Sequence, residues 1–453
     1  MYQTYSLKEK FNLFLTVMWP IVVTQIGLHA MGVVDTMMSG RAGTDDLAGV
    51  AIGASLWMPA FLLANGILLA VMPTVAQLIG SGKKRFVSGV VMQALYLSAA
   101  VSIVIIGIGM CMLEPILTSM NLDAPVHHIA KHYLIGLSLG IVPLFLSGVL
   151  RNFFDAQGYT KVTMKIILLA VPMNVCLNYV MIFGKFGFPR LGGIGAGYAT
   201  ALTYWFIAFI SIWTTFKLEA MRDYRLFLSW PRPSWTAWKE QLGIGVPIGL
   251  SIFFEASIFS AVTLLLGISF DTVTIASNQA AISIAGLLFM IPLSISLTLT
   301  IIIGYEVGAG RWTDARQYTL LGVATALGVM IIAAVALFFN REWVASLYTT
   351  SEAVAAMIMQ FLIFVIFFQF SDAAQASLQG VLRGYKDVTF PFVTALLSYW
   401  VIGIPTGYML ASYTGLGPFG YWVGITFGLT CAAIGFFSRL VVLQRKLRAG
   451  ERG

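Results

Sequence analysis

Charge is what most constrains this chain. Lys, Arg, Asp and Glu make up only 10% of its 453 residues, and they sit in clusters separated by long uncharged runs. Such runs cover 47–82, 86–113, 132–150, 166–184, 191–216, 272–305, 317–340 and 388–438. About 20 apolar residues cross a bilayer, whereas a soluble globule is about 25% charged because its surface must be wetted. The last run is 51 residues long and carries a turn at Gly415–Pro418, so it holds two spans. Three further stretches, 11–40, 241–270 and 353–382, are apolar except for one acid each. The expectation is an all-α polytopic membrane protein with twelve transmembrane helices.

The basic residues orient it. With the N-terminus inside, 22 of the 27 Lys and Arg fall on cytoplasmic segments, leaving Arg41, Lys131, Lys185, Arg190 and Arg341 outside. That asymmetry is the positive-inside signal, and it places both termini in the cytoplasm. Topology thereby accounts for the net charge of +8, and no nucleic-acid partner is expected. The apolar run after Lys10 is too long for a cleavable signal and lacks a small-residue cleavage site. Cys111, Cys176 and Cys431 lie in apolar stretches without paired spacing and read as small buried residues.

The two halves resemble each other. Trp19-Pro20 and Val246-Pro247 stand 227 residues apart. Ile79-Gly80-Ser81-Gly82-Lys83 is echoed by Val307-Gly308-Ala309-Gly310-Arg311, and Gly158-Tyr159-Thr160-Lys161-Val162 by Gly384-Tyr385-Lys386-Asp387-Val388, at offsets of 228 and 226. An even number of spans per repeat makes the repeat parallel, with a site expected near the midplane between halves. The expected plan is a six-helix lobe at 1–216, a cytoplasmic linker at 217–239, a second six-helix lobe at 240–440 and a basic tail at 441–453. Prolines at 59, 73, 143, 172, 292 and 405 fall in or near spans, where each removes a backbone donor and can kink the helix.

Three of the nineteen acidic residues, Asp35, Glu255 and Asp372, lie inside spans. An ionised carboxylate at the bilayer centre costs about 2.5–3.5 kcal/mol even on the lenient insertion scale. With no intramembrane Lys or Arg expected opposite them, these acids must be protonated, bind a cation or face water. Gln369, Asp372, Gln379 and Arg383 share a helical face by spacing, with Gln375 beside them. Ser251 lies one turn before Glu255 and Phe259 one turn after, and an acid beside an aromatic ring suits a lipophilic cation. Asn174 and Asn178 share a face, with Thr200 a plausible neighbour on the next span. His127, His128 and His132 sit at an outer span boundary and read as an interfacial anchor. Gly245 and Gly249 form a close-packing GxxxG match. No phosphate-binding loop, nucleophile elbow or metal cluster points to soluble enzymology.

Trp19-Pro20, the run Gly32-Val33-Val34-Asp35-Thr36-Met37-Met38-Ser39-Gly40 and the run Gln379-Gly380-Val381-Leu382-Arg383-Gly384 resemble the multidrug and toxic compound extrusion (MATE) transporters, and Glu255 with Asp372 resembles their NorM-type branch. The resemblance implies a secondary active transporter, not an enzyme: an antiporter in a bacterial cytoplasmic membrane that expels amphipathic, mostly cationic drugs and dyes. It implies cation coupling at Glu255, Asp372 and Asp35, with Na⁺ a candidate metal at Glu255 and Asp372. A second cation site would be Asn174, Asn178 and Thr200. Ser251, Phe259, Gln369, Gln375 and Gln379 are the substrate-cavity candidates. No cofactor is expected beyond the coupling ion, Na⁺ or H⁺, and the expected partners are drugs and membrane lipid, with the chain a monomer. The rivals are a lipid-linked saccharide flippase, which would carry a basic cavity, and a membrane lipid-modifying enzyme, whose polar residues would cluster at one interface.

Overall fold

The computed structural model describes residues 1–450 and is built of helices. The first half carries α1 (Leu7–Ala42), α2 (Thr44–Leu68), α3 (Val71–Gly80), α4 (Val87–Ser119), α5 (Ala124–Ser138), α6 (Ile141–Ala156), α7 (Thr160–Phe183), α8 (Gly193–Lys217) and the short α9 (Glu219–Arg222). The second carries α10 (Trp235–Ser269), α11 (Thr272–Gly308), α12 (Trp312–Phe339), α13 (Arg341–Tyr348), α14 (Glu352–Gly384), α15 (Thr389–Leu396), α16 (Ile404–Tyr413) and α17 (Phe419–Gly450). Among the described residues eleven spans are long and apolar enough to cross a membrane, and the bent pair α5–α6 makes a twelfth. The protein is an all-α integral membrane protein.

The irregularities have one cause. α2 breaks into α3 at Leu69–Ala70, α5 into α6 at Leu139–Gly140, and the stretch Leu397–Gly403 widens into a π-helix. Each break lies about one turn before a proline, at Pro73, Pro143 and Pro405 respectively. A proline ring collides with the carbonyl four residues earlier, so the helix opens there. The span expected at 132–150 is therefore two helices meeting at 49°. A side chain fills part of the gap in the first case, where Asn152 Nδ2 donates to the Leu68 carbonyl at 3.2 Å. Pro59, Pro172 and Pro292 stay inside continuous helices.

The chain packs as two units, one of Trp19–Gly249 and one of Met1–Met18 with Leu250–Gly453. The division runs through α1 and α10, not through the 217–239 linker as the charge pattern suggested. The start of α1 joins the second unit because Lys10 Nζ lies 2.8 Å from Asp314 Oδ1 and the Thr4 and Tyr318 hydroxyls meet at 2.9 Å. The start of α10 joins the first because a side chain at Gly245 or Gly249 would strike the Ile67 or Leu63 carbonyl of α2. The linker is pinned to that unit too: Gln93 donates to the Arg232 carbonyl at 2.8 Å and accepts from the Ser234 N–H at 2.9 Å. Two more expectations change. α17 continues through residues 441–450, so this part of the tail extends the last helix, while 451–453 lie outside the described residues. Cys111 and Cys176 are exposed, as apolar side chains on a lipid-facing surface are.

Candidate functional site

Asp35 reaches its partners from the C-terminal part of α1. It is buried, and two helices close around it: Asn178 Nδ2 of α7 donates to Oδ1 at 2.6 Å and Thr200 Oγ1 of α8 donates to Oδ2 at 2.6 Å. Asn174 Nδ2 stands at 3.4 Å from Oδ1 and at the same distance from Thr203 Oγ1, and Asn178 Nδ2 also approaches Asn174 Oδ1 at 3.2 Å. The i, i+4 spacing of the two asparagines stacks them on one face of α7. The loop before α8 ends at Gly192 and the helix opens with Gly193, Gly195 and Gly197; a side chain at Gly197 would strike the Tyr133 carbonyl of α5. That close approach is how Thr200 comes to face Asp35. Tyr133 and Tyr204 stand within electrostatic reach of the carboxylate. Among the described residues every donor on Asp35 is neutral, and Asn178 Oδ1 is a buried acceptor with no partner. Three kinds of oxygen, carboxylate, amide and hydroxyl, thus meet in one place, a hard donor set suited to a proton or a small hard cation.

The second cluster belongs to α10 and α14. Glu255 Oε1 accepts from Gln379 Nε2 at 2.9 Å, Gln375 Nε2 at 3.1 Å and Ser251 Oγ at 3.2 Å. Gln379 Nε2 also donates to Ser251 Oγ at 2.8 Å. α14 lies tightly on α11, since a side chain at Gly380 would strike the Ser296 carbonyl, and Thr300 donates to the Gly380 carbonyl at 3.0 Å. This fixes the rotation that points Gln375 and Gln379 at α10. Asp372 is half-buried and within electrostatic reach of Glu255, with no ion pair to it among the described residues. Phe259 is held in a three-ring cluster, 5.8 Å from Phe368 and 6.3 Å from Trp422. Gln369 is buried on the same helix as Asp372, yet neither of its amide atoms has a partner among the described residues.

The sequence left several neighbours unread. Arg383, counted with the cytoplasmic cations, is 5% exposed and acts electrostatically on Glu255. The expectation that no intramembrane cation stands near the acids is corrected on that point: the α14 face that carries Gln379 carries the guanidinium inward one turn later. Tyr399, in the π-helical stretch, is buried within electrostatic reach of both Glu255 and Asp372. Next to it, Trp400 Nε1 donates to the Phe254 carbonyl at 3.2 Å. Pro405 inside an apolar run was the available signal, because π-helical turns frequently mark functional sites. The histidine group divides: His127 Nε2 lies 3.5 Å from Glu114, and the His128 and His132 rings lie 4.1 Å apart, tilted by 41°.

The MatE family model matches this chain at residues 20–180 and again at 247–409. The chain belongs to the MATE family. The two matches start 227 residues apart, the spacing of the repeated Trp-Pro and Val-Pro pairs. Among MATE relatives, the probable multidrug resistance protein NorM of Halalkalibacterium halodurans is 55% identical over 449 residues, covering 99% of this chain and 98% of its own. The protein of the same description in Bacillus subtilis is 50% identical over 446 residues, covering 98% of both. The chain is therefore a NorM-type MATE protein, a transporter and not the membrane enzyme weighed against it. Its fold is that of solved MATE structures. A MATE crystal structure in the bent conformation superposes with a TM-score of 0.90 at 19% identity, over 98% of this chain and 97% of that one. The MATE transporter VcmN of Vibrio cholerae in its bent form gives 0.86 at 18% identity, over 98% of each.

Proposed function

We propose that this MATE protein is a multidrug efflux antiporter that exchanges Na⁺ or H⁺ for amphipathic, mostly cationic drugs and dyes. The observation that carries this reading is the Asp35 carboxylate, buried inside a membrane helix and held, among the described residues, only by the neutral groups of Asn174, Asn178 and Thr200. A negative charge so placed is balanced best by something that comes and goes. Glu255 in the other unit likewise takes its hydrogen bonds from neutral groups, Ser251, Gln375 and Gln379, with the Arg383 guanidinium acting on it electrostatically. Asp372 adds a second carboxylate there, and Tyr399 lies beside both. Both relatives named above are described as multidrug resistance proteins, which supports drugs as the cargo.

In the proposed cycle the deprotonated acids attract a drug cation from the cytoplasm or inner leaflet. On the other side H⁺ or Na⁺ takes the carboxylates and the drug leaves. Exchange on the acids drives the change of access because a ligand shifts a conformational equilibrium only through unequal affinity for its two states. Asn174, Asn178 and Thr200 would offer oxygens to the ion at Asp35, and Glu255 with Asp372 would take the ion in the second unit. The protein works as a monomer in a bacterial cytoplasmic membrane with both termini inside. The test is uptake of ethidium into inverted vesicles with Na⁺ and proton gradients imposed separately. Uptake that follows one of the gradients is expected. Uptake that ignores both overturns the antiport reading.

A further inference from the structure

The five basic residues on the face opposite the termini run against the charge asymmetry of the chain, and their surroundings differ. Lys131 pairs with Glu114 at 2.9 Å, and Arg341 lies over the Phe338 ring at 4.5 Å. The other three, Arg41, Lys185 and Arg190, converge on one cavity of about 500 Å³ at the ends of α1 and α7, walled also by Met38, Tyr179 and Phe183. A cavity of this size is in the range that holds a small organic ligand. Arg190 donates one bond to the Ala42 carbonyl at 3.0 Å. Among the described residues none of the three cations has a carboxylate partner. The nearby acids do not supply one: Asp46 is engaged by the Gly193 N–H at 2.7 Å, and Asp45 is exposed without pairing to any of them.

The loop that carries two of these cations is firmly built. Lys185 N–H bonds the Val180 carbonyl at 3.1 Å, Leu191 N–H the Met181 carbonyl at 3.1 Å, and Gly192 N–H the Ile182 carbonyl at 3.0 Å. Gly184, at φ 66°, lies so close to the Arg190 backbone that a side chain there would collide with it. Between these anchors Phe186 is 84% exposed and Phe188 55%. Exposed rings at the end of a span sit naturally at the level of lipid headgroups. The cavity thus offers three uncompensated positive charges on one side and aromatic and thioether surface on the other, at headgroup depth.

We propose that this cavity binds the phosphate group of an anionic phospholipid in the leaflet opposite the termini. Arg41 and Arg190 fork the phosphate oxygens, a geometry in which guanidinium exceeds ammonium. Lys185 adds a third charge from the loop, and Tyr179, Phe183 and Met38 cover the glycerol and the first part of the acyl chain. The site involves none of the acids assigned to ion exchange, so it stands or falls independently of the antiport mechanism.

The test uses the full-length protein, purified in detergent and stripped of lipid, then offered phosphatidylglycerol, phosphatidylcholine or inorganic phosphate, with retention read by native mass spectrometry. The double variant Arg41→Gln with Lys185→Gln leaves the Arg190–Ala42 bond in place. Each charge near a membrane surface changes affinity for an anionic headgroup about fivefold, so the double variant should hold phosphatidylglycerol about 25-fold more weakly. Lys185→Gln alone, on an exposed loop, should lose about fivefold and guards against misfolding of the double variant. Inorganic phosphate that displaces phosphatidylglycerol and shows the same dependence on Arg41 and Lys185 would support the phosphate site with a free anion as its source; no displacement assigns the source to lipid. Equal retention of phosphatidylglycerol and phosphatidylcholine by the wild type, or equal retention of phosphatidylglycerol by wild type and both variants, overturns the proposal.

Discussion

Two substitutions at Glu255 separate its charge from its hydrogen bonds. In Glu255→Gln the side-chain oxygen stays in the Oε1 position and still accepts from Ser251, Gln375 and Gln379. Stability should therefore change by less than about 1 kcal/mol. Glu255→Ala removes that acceptor, but Gln379 keeps Ser251 Oγ as a partner at 2.8 Å. The Gln375 amide and the Ser251 hydroxyl proton lose their acceptor, so the cost is about 1–2 kcal/mol, small for hydrogen bonds between membrane helices. The functional loss should be far larger and equal in both variants. A unit charge about 4 Å from a drug cation contributes about 4 kcal/mol at an effective dielectric of about 20, close to a thousandfold in affinity. Ethidium efflux from proteoliposomes should fall to background for both, while thermal melting in detergent moves little for Gln and modestly for Ala. Wild-type efflux by Glu255→Gln would refute the role of the charge. Melting of the Gln variant as low as that of the Ala variant would refute the placing of the bonds on Oε1.

Asp35→Asn should likewise fold, because the Thr200 hydroxyl can turn to accept from the new amide while Asn178 keeps its oxygen; efflux should drop at least tenfold, and an unchanged rate in a transport assay would remove Asp35 from the coupling path. Gly380→Ala drives a methyl group into the Ser296 carbonyl and should lower stability by about 1–3 kcal/mol, seen as a lower melting temperature; an unchanged melt would mean that α14 and α11 are further apart than described. At the start of α11, the Asp271 carboxylate accepts from the Thr274 hydroxyl at 2.6 Å and the Thr274 N–H at 3.0 Å, and these bonds hold its pKa below the usual carboxylate range. A depressed folded pKa means stability that is present above the unfolded value and lost as pH falls through the folded one. Asp271→Ala should therefore melt below the wild type at neutral pH, with the gap closing as the solution is taken to about pH 3; a gap independent of pH would show that the cap is not the ionised form.

What the sequence determined by itself follows from the cost of charge in hydrocarbon. That cost makes spans visible as charge-free runs and singles out Asp35, Glu255 and Asp372 as residues in need of a reason. It also binds neighbours on one helix to a fixed face, which is why Gln375 and Gln379 could be placed with Asp372, and Asn174 with Asn178. The tertiary structure decided what meets across helices. Asp35 joins Thr200 through a glycine-lined approach of α8 to α5, and Glu255 gains Arg383 and Tyr399 through the rotation of α14 and a π-helical turn. Gln369, equally well placed by spacing, finds no partner among the described residues. Periodicity gives the angle of a residue around its own axis and says nothing of the distance between two axes. That distance is set by glycines, prolines and packing, so the exchange of the first turns of α1 and α10 between the two units was legible only once the helices were in contact.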